Sequence, residues 1–429
     1  MGILIKNGKI LDNGELVQRD ILIIDNVISK IAEQIEDQGY KEIDVKGKLV
    51  SAGFIDMHVH LREPGFEAKE TIATGTAAAA RGGYTAVACM PNTKPVTDRV
   101  EVVKYIKDKA AKEGVVRVLP IGSITLRELG DELTDMAAMK EAGIVGVSDD
   151  GVGVQSSRMM KEGMKRAAEL GLPVIAHCED DTLAKGGSVH EGIFAEKNGL
   201  KGIPNEAESI HVARDIMLAE ATGVHYHVCH ISAEQSVRHV RYAKQLGLKV
   251  TSEVCPHHLL LTDEDIPSLD SNYKMNPPLR SKKDREALIQ GLKDGTIDII
   301  VTDHAPHTEE EKKKGMALAP FGIVGLETAF PLLYTHLVLG GEFTLEEIIE
   351  KMTRKPAELF GLPWGRLEEG AEADLTIIDL ETEREVNPQE FASKGKNTPF
   401  TGWKLKGWPV MTVVAGSVVW KRDEVLKTV

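Results

Sequence analysis

The rhythm of apolar and polar positions changes twice along the chain. Over the first fifty residues, short apolar runs are broken by turns, as in "ILIKNGKILD", "DILIIDNVISKIA" and "KEIDVKGKLVSAG", a pattern that predicts strands. The last sixty or so, with "ADLTIIDL" and "VMTVVAGSVVWKRDEV", read alike. Between them lie eight strand-like runs: "FIDMHVH", "YTAVACMPN", "VRVLPIGSI", "IVGVSDD", "PVIAHCE", "VHYHVCHIS", "KVTSEVCPHH" and "IDIIVTDHAPH". They alternate with segments such as "VEVVKYIKDKAAKEG" and "SRMMKEGMKRAAELG", which have helical periodicity and a closing glycine. Eight alternations predict an α/β fold with a TIM-like (β/α)8 barrel over residues 53–365. A doubly wound open sheet is the structural alternative. The two ends, 1–52 and 366–429, are then expected to pack together as one small β-sandwich domain.

In seven of the eight runs the unusual polar residues sit at the C-terminal end: His58 and His60, Asn92, Asp149 and Asp150, His177, His230, His257 and His258, and Asp303 and His304. That face carries the chemistry of a TIM barrel, and core histidines have no reason to sort this way. Side chains alternate along a strand, so His58 and His60 share a side, roughly 7 Å apart along the backbone, where they can converge on one cation. Imidazoles with carboxylates suit Zn²⁺ and, on ligand type, Mn²⁺, Co²⁺ or Fe²⁺. In "HYHVCH" the H-x-H spacing favours His225 and His227, whereas position at the strand's end favours His230. Alternation turns Cys178 and Cys229 away from their neighbours, so both are expected to be small buried residues.

The formal net charge is −14, with 66 acidic against 52 basic residues. That argues against nucleic acid or an anionic membrane as the main partner. Four scattered cysteines make no disulfide framework. No long apolar stretch opens the chain or crosses a bilayer, and the expectation is a reduced, cytoplasmic protein acting on a small molecule. The run "EEEKKKG", residues 309–315, is expected to be a solvated helix end or loop. "GVGV" after Asp150 lacks the third glycine of a dinucleotide site.

Taken in order, "GFIDMHVHLREPG", "AHCED", "HVCHIS" and "VTDHAPH" resemble the cyclic amidohydrolase superfamily, and within it the bacterial long-chain dihydroorotases. The likeness continues through "KMNPPLR", "FGIVGLETAFPLL" and "GKNTPF". It implies that His58, His60 and Asp303 hold one metal and His177 and His230 a second, which settles "HYHVCH" for His230. Many members bridge the ions with a carboxylated lysine. "GIVGVSDDGVGV" has none, and the resemblance puts the bridge on Asp150, with Asp149 facing away or supporting it. The implied cofactor is Zn²⁺, one or two ions per chain, with two favoured.

The implied reaction is the reversible closure of N-carbamoyl-L-aspartate to (S)-dihydroorotate in pyrimidine synthesis. A metal-bound hydroxide would be the nucleophile and Asp303 the general acid and base. By the same resemblance Arg62, Asn92 and His307 grip the substrate carboxylate, and Asn276 with the backbone at Phe321 and Gly322 meets the ring. Taken alone, Arg62 could pair with Glu63, Asn92 and Asn276 could form turns beside proline, and His307 could be a solvated loop residue. A homodimer, and association with aspartate transcarbamoylase, are the implied assemblies. Two rival readings remain at this level. One is a hydantoinase, dihydropyrimidinase or allantoinase, which usually carries the lysine and needs no carboxylate clamp. The other is a non-catalytic scaffold, which would be expected to have lost ligands.

Overall fold

The structure, a computed structural model, describes residues 2–36 and 39–422. Strands Phe54–Val59, Tyr84–Cys89 and Arg117–Pro120 pair in parallel. Val147 then bridges Gly122 on one side and Val174 on the other. From there Val174–Ala176, Tyr226–Val228, Val250–Val254 and Ile299–Ile300 continue the parallel order. A parallel bridge from His304 back to Val59 closes the circle. The fourth run forms no extended strand, yet Val145, Gly146 and Ser148 also exchange backbone hydrogen bonds with Pro120 and Gly122, and Val147 with Pro173 and Ile175.

Alternation along these strands sorts the core. Ile55, Met57, Ala86, Ala88, Ile175, Ile299 and Val301 form one buried cluster, inside the barrel. Their sequence neighbours Val87, Val174 and Ile300 pack outward against helix residues Ile106, Met164 and Val212. The register against the second strand shifts between Phe54 and Ile55 and again between Asp56 and Val59, the latter with one extra residue on the first strand. That extra residue lets Met57 pack inside while His58 and His60 still reach the mouth. The helices between begin and stop where local chemistry dictates. Ile72–Arg81 opens on a Thr71 capping box, and Ser157–Leu170 runs from a Ser156 cap to Gly171 in the left-handed conformation (φ 65°).

The chain ends share one eight-stranded mixed sheet. Leu49–Ala52 pairs antiparallel with Leu375–Asp379, and Gly2–Asp12 makes a hairpin with Glu15–Ile24 around Asn13 and Gly14, both left-handed. Ile5, Ile21, Ile23, Leu375, Ile377 and Val410 form its core. Leu49–Ala52 belongs to this sheet and Phe54 begins the barrel, with Gly53 between them. An added Cβ at Gly53 would lie 2.1 Å from Thr85, so only glycine fits this crossing.

Asp56 ties the first strand to the eighth. Its carboxylate accepts from the His58 amide (3.0 Å), the Thr302 amide (3.1 Å) and the Thr302 hydroxyl (2.6 Å), all buried. Asp56→Asn would set an amide against these donors and is expected to cost about 2 kcal/mol. Chemical denaturation would read the change, and an unaltered midpoint would show that the tie contributes nothing.

Candidate active site

A cavity of about 200 Å³ at the C-terminal mouth of the barrel is lined by His60, Arg62, Asn92, Asp150, His177, His230, Asn276, Asp303, His307, Phe321 and Gly322. The sequence-predicted residues therefore come together, with His58 fully buried among them. Backbone geometry sets their positions. Val59 pairs with His304 across the closing seam, and the His60 amide donates to the His304 carbonyl (2.8 Å), which sets Asp303 beside both histidines. Arg62, His230 and Asp303 all have positive φ (63°, 28° and 48°), a conformation that costs a non-glycine residue roughly 1–2 kcal/mol.

The donors form two groups that share a neighbourhood. His58, His60 and Asp303 make one, and Asp150, His177 and His230 the other, with the ligand atoms of each group within 4.8 Å of one another. His60 Nε2 lies 3.0 Å from Asp303 Oδ1 and 3.6 Å from Asp150 Oδ2. His58 Nε2 is 3.5 Å from an oxygen of each aspartate. Tetrahedral ligands at about 2.05 Å from one ion would be separated by about 3.3 Å, in the middle of this spread. His58 Nε2, Asp150 Oδ1, His177 Nε2 and His230 Nδ1 are buried without a hydrogen-bond partner. Nδ1 of His177 and Nε2 of His230 approach to 3.0 Å.

Charge in the pocket fits a cation. Burial alone would lower His58, yet Glu253, Asp150 and Asp303 raise its pKa to about 10. Burial would raise Asp303, but His58, His60 and His230 hold it well below the usual carboxylate range. His230 is pushed down to about 3, by burial first and then by His177 and His58. Buried acids that call for positive charge, and lone pairs without a donor, match what a divalent metal supplies.

Behind these donors stands Glu253, a residue the sequence pattern did not single out. Its buried carboxylate accepts from His58 Nδ1 (2.6 Å), His227 Nε2 (3.0 Å) and the His230 amide (3.2 Å). The His58 bond fixes the tautomer that leaves Nε2 for a metal. Burial would raise Glu253, but His58 and His227 keep it ionised. His227, the rejected half of "HYHVCH", thus supports the site from below. Asn92 does the same for His60, accepting from Nδ1 (3.0 Å), and its amide lies 3.3 Å from Asp150 Oδ2. Asp149 turns away and binds the Ile124 and Thr125 amides (2.7 and 3.0 Å).

Glu63 leaves Arg62 free of the pairing considered above, because it accepts from the Ile72 amide (2.8 Å) and the Tyr105 hydroxyl (3.1 Å). Arg62 is half-buried, donates Nε–H to the Pro306 carbonyl (3.2 Å) and lies 3.3 Å from His307. His307 donates Nε2–H to the Phe321 carbonyl (2.8 Å) and accepts at Nδ1 from Lys69 (3.3 Å). Burial, with Arg62 and Lys69, lowers it to about 3, so it is neutral. Asn397, from the far end of the chain, holds the His307 amide (3.1 Å) and the Gly322 carbonyl (2.9 Å). The Gly322 amide donates to Lys274 (3.0 Å), and a Cβ there would meet Ala305 at 2.7 Å. Asn276 donates to Glu179 (2.9 Å).

Two expectations need correction. Cys229 does not turn clear of the site: its sulfur lies within 4.8 Å of ligand atoms of His58 and Asp150. The strand stops at Val228 and a turn follows, so alternation no longer applies. In "EEEKKKG" the Lys313–Glu309 pair is solvated, but Lys312 is buried. The Thr308 cap starts a helix, Glu309–Lys312, that turns this one lysine inward.

Residues 47–236 match the family described as dihydro-orotase-like, and residues 323–420 match the amidohydrolase family. The dihydroorotase of Halalkalibacterium halodurans is 61% identical over 428 residues, all of both chains. That of Brevibacillus brevis is 62% identical, covering 98% of this chain and 100% of its own. The chain belongs to the dihydroorotase family. Among solved structures, the L-hydantoinase (dihydropyrimidinase) of Arthrobacter aurescens superposes with a TM-score of 0.88 at 28% identity, over 98% of this chain and 96% of its own. A D-hydantoinase (dihydropyrimidinase) of Thermus gives 0.83 at 27%, over 98% and 95%. The family implies a divalent metal, which the two donor groups fit.

Glu253→Gln would replace an ionised acceptor of three donors with a neutral amide that offers one oxygen, and is expected to weaken metal binding on the order of 10–100-fold. Competition with a chromogenic chelator measures it, and wild-type affinity would assign the metal's orientation to something else.

Proposed function

We propose that this protein is a dihydroorotase that interconverts N-carbamoyl-L-aspartate and (S)-dihydroorotate in pyrimidine biosynthesis, with Zn²⁺ as its metal. One observation carries the choice among cyclic amides. A half-buried arginine, Arg62, sits at the cavity that Asp303 and Asp150 also line, in contact with His307 and unpaired with Glu63. A guanidinium there suits a substrate that brings its own carboxylate, as dihydroorotate does and dihydropyrimidines do not. Imidazole and carboxylate donors support zinc, and the place of Asp150 within reach of both histidine pairs supports two ions bridged by it.

When bound, the metal acidifies a water to a pKa of roughly 7 and polarises the ring carbonyl. The chain's own residues do the rest. Arg62 holds the carboxylate, with Asn92 and His307 beside it, and so fixes the ring against the donor cluster. Asn276 and the Phe321–Gly322 backbone pack on the ring, Gly322 lying so close to Ala305 and His307 that a Cβ would not fit. Asp303, held ionised, accepts the proton of the attacking water. As the ring C–N bond breaks, it returns that proton to the leaving nitrogen. Gly322, Asn397 and His307 keep the wall that faces this event in place.

The wider organisation follows the same reading. The division at 1–52, 53–365 and 366–429 is supported by the change of sheet at Gly53. A cytoplasmic setting is supported by four buried, unpaired cysteines, and among the described residues no helix is long and apolar enough to cross a membrane. For a homodimer, Ile210 and Met217 on Asn205–Thr222 supply exposed apolar surface. Association with aspartate transcarbamoylase rests on the resemblance.

The purified protein is expected to open dihydroorotate and to leave dihydrouracil nearly untouched. Arg62→Met should raise KM for dihydroorotate roughly 10–100-fold, the loss of a charge-assisted bidentate contact. Comparable turnover of dihydrouracil, or an unchanged KM in the variant, would overturn the clamp and favour a hydantoinase-like activity. Ring closure consumes one proton, so each unit of acidification should shift the equilibrium about tenfold toward dihydroorotate. Quantifying both species between neutral and mildly alkaline pH checks this, and a pH-independent ratio would exclude the substrate pair.

A further inference from the structure

We propose that Lys312 is a positioning residue that sets the substrate-ring wall, acting as a buried ammonium clamp on three backbone carbonyls. The inference rests on the reading that the Phe321–Gly322 backbone and Asn276 meet the ring. Lys312 Nζ lies 3.2 Å from the Lys274 carbonyl, 3.1 Å from that of Pro320 and 3.0 Å from that of Gly322. An ammonium has three N–H donors and no acceptor, so its capacity is filled by these three oxygens. They come from the two segments that form one side of the cavity, the stretch leading to Asn276 and the loop carrying Phe321 and Gly322.

The clamp has local support. Gly322 N–H donates to the Lys274 carbonyl (3.0 Å), which stitches the two segments directly. Lys274 turns its own ammonium to the Ala317 carbonyl (3.1 Å) and stands 4.5 Å over the Phe321 ring. Lys312 is 6% exposed and, among the described residues, has no carboxylate on its nitrogen, which distinguishes it from the adjacent Lys313, exposed and paired with Glu309. A lysine used only for stability could be replaced by an apolar chain of equal length. Here replacement leaves the Pro320 carbonyl without a donor and takes one of two donors from the Lys274 and Gly322 carbonyls, at the edge of the cavity where the ring must fit. Burial, and then Lys274, bring its pKa down to about 7, against the opposing charges of Asp270 and Glu311. As the ammonium deprotonates it keeps two donors for three oxygens, and the clamp loosens.

The test compares wild type with Lys312→Met and Lys312→Gln as zinc-loaded enzymes, reading KM and kcat for dihydroorotate and metal content. Lys312→Met is expected to raise KM roughly tenfold or more, with kcat and bound metal within about twofold of wild type. Lys312→Gln, which restores an N–H₂ donor, should fall between, and it carries the test if the methionine variant fails to fold. In wild type KM should rise as pH passes through neutrality, and in Lys312→Met that dependence should flatten. An unchanged KM, or a loss confined to kcat or to thermal stability, would overturn the role. Failure of the wild type itself to open dihydroorotate would instead overturn the substrate reading on which the proposal rests.

Discussion

Glu253 is the interaction on which the site depends. Four histidines and two aspartates must be buried at one point with their lone pairs converging, and an imidazole left to itself has no reason to choose the tautomer that allows this. One carboxylate inside the barrel binds His58, His227 and the His230 amide together, and so orients a donor from the first strand and the backbone of a donor after the sixth. Asp56 holds the first strand against the eighth in the same way, and Asn92 orients His60. The two carboxylates are buried charges each satisfied by more than one donor, the condition under which burial is tolerable.

Around that frame the structure accepts local strain. Arg62, His230 and Asp303 adopt left-handed backbone conformations, and each stands immediately after a barrel strand or just beyond it. A regular strand would continue to alternate its side chains between core and exterior. The sharp turns after the first, sixth and eighth strands instead aim three residues at one cavity, and the packed barrel beneath them meets the cost. The other wall is built differently, from backbone: Gly322, Asn397 and Lys312 hold carbonyls and amides in place where side chains would fill the space.

Much of this was legible in the sequence. Eight apolar runs with polar residues at their C-terminal ends predicted both the barrel and its working face, and His58, His60, Asp150, His177, His230 and Asp303 meet there. What periodicity could not supply was the partner of each. Glu253 lies in an apolar run and reads as one more strand position. Asn397 reaches the site from the chain's other end. Lys312 sat in a charge run whose composition predicts solvent, until a capped helix turned it inward. Cys229 was placed by alternation on a strand that ends one residue before it. In each case a contact distant in sequence, or the end of a regular element, overrode the local rule.

The central claim is that the buried donor groups form a metal site whose bound ion makes ring opening possible. The measurement that tests it most directly is turnover of dihydroorotate by protein stripped with a chelator and then titrated with zinc, with bound metal measured in parallel. The account predicts that activity falls away on stripping and returns in proportion to zinc bound at the barrel mouth. Undiminished turnover by metal-free protein, or zinc bound at full stoichiometry with no turnover, would contradict it.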